Sequence, residues 1–64
     1  MLTIDVLDNE IIIKGDKSSL LELSNYIKNI ALSQNEKNHI HLDDLTIIDK
    51  KSKLNLIIEK DSNN

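Results

Sequence analysis

"EIIIKGDKSSLLEL", residues 10–23, holds the passage that decides the fold. Its first half is β-branched and bounded by charges, Glu10 and Lys14. Its second half places Leu20 and Leu23 three residues apart, the spacing of a helix face. Between them stands Gly15, the only glycine of the chain, where strand must become helix. A positive φ is the expected reason for it. Asp16 follows as a natural N-cap, its carboxylate placed for the free amides of the first turn and its charge for the positive end of the helix dipole. Ser18 is a competing cap.

Reading outward toward the N-terminus, "LTIDV" at 2–6 alternates: Leu2, Ile4 and Val6 point one way, Thr3 and Asp5 the other. Asp8-Asn9 tolerates turn conformations. The short gap makes residues 2–6 and 10–14 an antiparallel hairpin. Ile11 and Ile13 then join its buried face, and Ile12 faces out with Glu10 and Lys14.

Reading toward the C-terminus, Leu20, Leu23, Ile27, Ile30 and Ala31 form one stripe of a helix. Tyr26 flanks the stripe. Leu21 and Leu32 share the opposite flank, either as the edge of a wide core stripe, the favoured reading, or as a small exposed shoulder. Polar "SQNEKN", 33–38, ends the helix without a glycine or proline stop. "HIHL" at 39–42 alternates again, with Ile40 and Leu42 inward and His39 and His41 outward together. "LTII", within the connection "DDLTIIDKKSK", extends a strand or tucks under the sheet. "LNLIIE" closes the set, with Leu54, Leu56 and Ile58 inward and Ile57 outward. The last residues, 61–64, read as a frayed polar tail.

The expected architecture is therefore one α+β domain over residues 1–60. It has two layers, a single helix on a four-stranded, mainly antiparallel sheet in the order ββαββ. A chain of 64 residues is marginal for a core of its own, and without cysteine it has no disulfide to support it. Net charge is −3, and Lys50, Lys51 and Lys53 sit beside Asp49 as a solvated loop. No basic patch with aromatics points to nucleic acid. The longest apolar runs are too short to cross a bilayer, and the start lacks a signal-peptide pattern, so neither membrane nor export is expected and a cytoplasmic protein is.

His39 and His41 are the residues most able to carry chemistry. On one strand face they lie about 7 Å apart, a separation zinc accepts if further ligands converge. No third histidine and no cysteine completes the set. No serine sits in a strained nucleophile turn, and a two-layer unit this small has little room for a cleft. Neither an enzyme nor a cofactor is expected. The exposed face gathers His39, His41 and Asp43 with Ile12 and Ile57, apolar residues among charges, which suits a partner surface.

"IIIKGDKSSLLELSNYIKNIALS", "HIHLDD" and "LNLIIEK" together resemble a small immunity-protein family of bacterial polymorphic toxin systems, family thirty-two of that series. Gly15, Asp16 and Lys17 match its first element, Leu20, Leu23 and Ile27 its helix. His39, Ile40, His41, Leu42 and Asp43 match its most specific element, and Leu56 to Glu59 its closing strand. The resemblance spans residues 11–60. It departs at "NEKN", where the family carries a glycine, and in the connection "DLTIIDKKS". It implies a cytoplasmic antidote that binds and occludes a cognate toxin, with His39, His41, Asp43 and Asp44 contacting the toxin or a second copy in a homodimer. The readings that remain beside it are a zinc protein using the His-x-His pair and a structural or regulatory module.

Overall fold

The computed structural model describes residues 1–34 and 39–61. Five elements follow one another: β1 (Thr3–Leu7), β2 (Glu10–Lys14), α1 (Lys17–Leu32), β3 (His39–Leu42) and β4 (Leu56–Glu59). The class is α+β, with the expected element order. The sheet is not single. Among the described residues β1 pairs only with β2 and β3 only with β4, both antiparallel, giving a pair of two-stranded sheets. The expected tail at 62–64 lies outside the described residues.

β1 and β2 meet through the two-residue loop Asp8-Asn9, with Leu7 opposite Glu10. Asp8 takes φ 55°, the left-handed region that a short polar side chain tolerates and that tight hairpins require. Gly15 does not need such an angle, contrary to expectation: no glycine has positive φ. Space is the reason for it. A Cβ there would collide with Leu2 Cδ2 and stand 3.3 Å from the Met1 carbonyl oxygen.

Asp16 caps α1 as its chemistry requires, its Oδ1 accepting from the Ser19 amide at 2.7 Å. Ser18 is no rival cap, since its hydroxyl donates to the same Asp16 oxygen at 3.1 Å. The Ser19 amide first, then the Ser18 hydroxyl and the terminal ammonium, hold the Asp16 carboxyl well below the usual carboxylate range. At the far end the Ser33 amide donates to the Ile30 carbonyl and closes the last turn.

The core is Leu2, Ile4, Leu23, Leu42, Ile47 and Ile48, with Tyr26, Ile40, Leu56 and Ile58 packed against it. Ile47 and Ile48 of "LTII" thus tuck inward, while Leu45 and Thr46 stay exposed. Ile48 forms a parallel bridge with Leu2, whose amide donates to the Ile47 carbonyl and whose carbonyl accepts from Asp49, each at 2.7 Å. Farther along, the Ile4 amide donates to Ser52 Oγ at 2.9 Å, and that hydroxyl donates to the Leu54 carbonyl at 2.8 Å. The loop between β3 and β4 therefore seals the start of β1.

Much of the expected interior lies outside it. Leu20, Ile27 and Ala31 of the helix stripe are exposed, as are Leu21, Leu32 and Leu54. So are Ile11 and Ile13, the residues assigned to the buried face of the hairpin. The cause is geometric. The helix backbone runs against β3 and β4, not against the β1–β2 hairpin. Its 16 residues extend about 24 Å, whereas neighbouring strands lie only about 5 Å apart. So narrow a sheet buries Leu23, half-buries Tyr26 and Ile30, and leaves Leu20, Ile27 and Ala31 open.

Candidate protein-binding face

In β3, Ile40 and Leu42 turn toward the core, which sends His39 and His41 to the outer face. The register places Glu59 opposite His39 and Ile57 opposite His41, with Leu56 and Ile58 inward. Alternation thus builds an outward patch of His39, His41, Ile57 and Glu59. The imidazole centroids are 5.1 Å apart at an interplanar angle of 84°, an edge-to-face pair. Beside them Ile57 remains 59% exposed.

Asp43 and Asp44 do not extend this patch as one strand face. β3 stops at Leu42, and Asp43 instead organises the turn that follows. Its Oδ1 accepts from the Leu45 amide at 2.9 Å, and its amide donates to Thr46 Oγ1 at 2.9 Å. Its carbonyl accepts from the amides of Thr46 and Ile48 and from the Thr46 hydroxyl. Asp43 thereby aims Ile47 and Ile48 into the core. Asp44 is exposed beside it, and the turn lifts Leu45 into solvent at 88% exposure.

Ile12 is not part of this face either. It lies on β2, opposite Asp5, in the other sheet. The anticipated cluster therefore divides: His39, His41 and Ile57 come together, Asp43 is structural, and Ile12 belongs to a separate surface. That surface is larger than expected. Val6, Leu7, Ile11, Ile12 and Ile13 are all exposed along the hairpin. Three consecutive isoleucines put apolar side chains on both faces of a strand, a signal that the sequence carries in plain view.

Among the described residues, no group of three or more His, Cys, Asp or Glu side chains is placed to hold a metal ion. No helix among them is long and apolar enough to cross a membrane. No family model, curated protein or solved structure matches the chain.

Proposed function

We propose that this chain is a small protein-binding module that docks a partner through the outer face of β3–β4, in the manner of a bacterial immunity protein occluding a cognate toxin in the cytoplasm. The observation that carries this reading is Ile57, an aliphatic side chain largely in solvent beside the paired imidazoles of His39 and His41. An exposed apolar residue framed by amphipathic rings is the composition of an interface centre. His39 and His41 supply flat, partly polar contact area, Glu59 a charged rim. The net charge of −3 suits a basic partner, because complementary charge speeds encounter and disfavours wrong partners.

The test is co-expression with the product of the adjacent gene. The proposal expects rescue of growth by the parent chain and loss of rescue by Ile57→Asp, with both chains folded by circular dichroism. A toxic neighbour that the parent fails to neutralise, or rescue unchanged by Ile57→Asp, contradicts it.

A further inference from the structure

β2 reads Glu10-Ile11-Ile12-Ile13-Lys14 and has β1 as its sole strand neighbour among the described residues. Among the described residues, nothing pairs with the backbone groups of its other edge. Which groups these are follows from β1. The Leu2 amide and carbonyl and the Ile4 amide bond to the 47–52 loop, away from β2. Alternation then turns the amides and carbonyls of Thr3, Asp5 and Leu7 toward β2, where they meet Lys14, Ile12 and Glu10. The amides and carbonyls of Ile11 and Ile13 are left pointing outward from the free edge.

We infer that β2 pairs antiparallel with β2 of a second copy of this chain, the two-fold axis passing between the two Ile12 residues. In that register Ile11 lies opposite Ile13 of the second copy, and the outward backbone groups of each exchange hydrogen bonds. Glu10 lies opposite Lys14 of the second copy at both ends, so the strand is its own charge complement. Slipping the register by one residue in either direction moves Glu10 and Lys14 off each other. The pairing joins the β1–β2 hairpins into one four-stranded sheet, with Ile4, Val6, Ile11 and Ile13 of both copies on a common face.

The chain as a whole exposes more surface than a compact monomer of its mass. The chain exposes 5296 Å². A compact monomer of 7.3 kDa exposes about 4,200 Å². The surplus, roughly 1,100 Å², is comparable to the area of about 800 Å² that each member of a standard interface buries. The radius of gyration of 12.4 Å likewise exceeds the about 11 Å of a compact chain of this length. Ile11 at 68% and Val6 at 60% exposure place much of the open apolar area at this hairpin. The inference does not rest on the β3–β4 docking face and either can fail alone, because the strands involved belong to different sheets.

Sedimentation equilibrium over micromolar to submillimolar concentrations tests it on the parent, Glu10→Lys, Lys14→Glu and the double variant. Both positions are exposed strand ends, and circular dichroism checks that each variant folds. The parent is expected to be a dimer. Each single variant sets like charges opposite one another twice and is expected to weaken the dimer about tenfold or more. The double variant, which exchanges the charges, is expected to recover most of that loss. A parent that stays monomeric throughout overturns the inference, as does a dimer indifferent to the single variants or a double variant no tighter than either of them.

Discussion

Leu2 packs so closely over Gly15 that the pair admits no β-carbon: a methyl group at Gly15 would overlap Leu2 Cδ2. Leu2 is fully buried and held by the bridge to Ile48, so it has nowhere to retreat. Gly15→Ala is expected to destabilise the chain by about 1–3 kcal/mol, the usual cost of overpacking a filled core. Urea unfolding measures it. A neutral or stabilising Gly15→Ala would show that the start of β1 yields.

Ser52 presents a second fixed point. Its hydroxyl accepts the amide of buried Ile4 and hands its own proton to the Leu54 carbonyl. Ser52→Ala leaves that amide without its acceptor, at a cost of about 1–3 kcal/mol. The unfolding midpoint should fall with the slope unchanged.

Acid stability reports on the helix cap. The Asp16 carboxyl is depressed from its ordinary 3.8, chiefly by the Ser19 amide. A depressed carboxyl stabilises the fold fully above its unfolded value, and that stabilisation is lost as pH falls through the folded value. Asp16→Asn keeps a capping oxygen but cannot titrate. The Tm advantage of the parent over Asp16→Asn should therefore be constant at neutral pH and shrink as pH drops below 3.8. An advantage that grows on acidification would contradict the assignment.

The imidazoles should matter little to folding. Both are exposed, and their contact is with each other. Replacing His39 and His41 together by alanine is expected to change unfolding stability by no more than about 0.5 kcal/mol. A larger loss would make them part of the fold.

How far the chain could be read in advance depended on the range of the interaction. Local signals were legible. The pairing of the 2–6 and 10–14 segments as a hairpin, the turn at Asp8-Asn9 and the Asp16 cap all depend on partners within a few residues, and the structure has each. The outward pairing of His39 and His41 followed from the inward Ile40 and Leu42 by strand period alone. Non-local choices were not legible. Nothing in the spacing of Ile11 and Ile13 says that the helix will cover the other sheet. Nor does periodicity say that Ile48 will bridge Leu2, forty-odd residues away, so that a connecting loop enters the core. His39, His41 and Ile57 share one outward strand face as strand period requires. Alternation does not place Asp43, because the strand ends at Leu42 and a turn begins there.

The most direct measurement is isothermal titration of the purified adjacent-gene product with the parent chain and with Ile57→Asp. Burying a charge at the centre of the β3–β4 face should weaken a tight one-site complex by about a hundredfold or more, with folding unaffected. Equal affinity for the two chains, or no binding by the parent, would contradict the docking face.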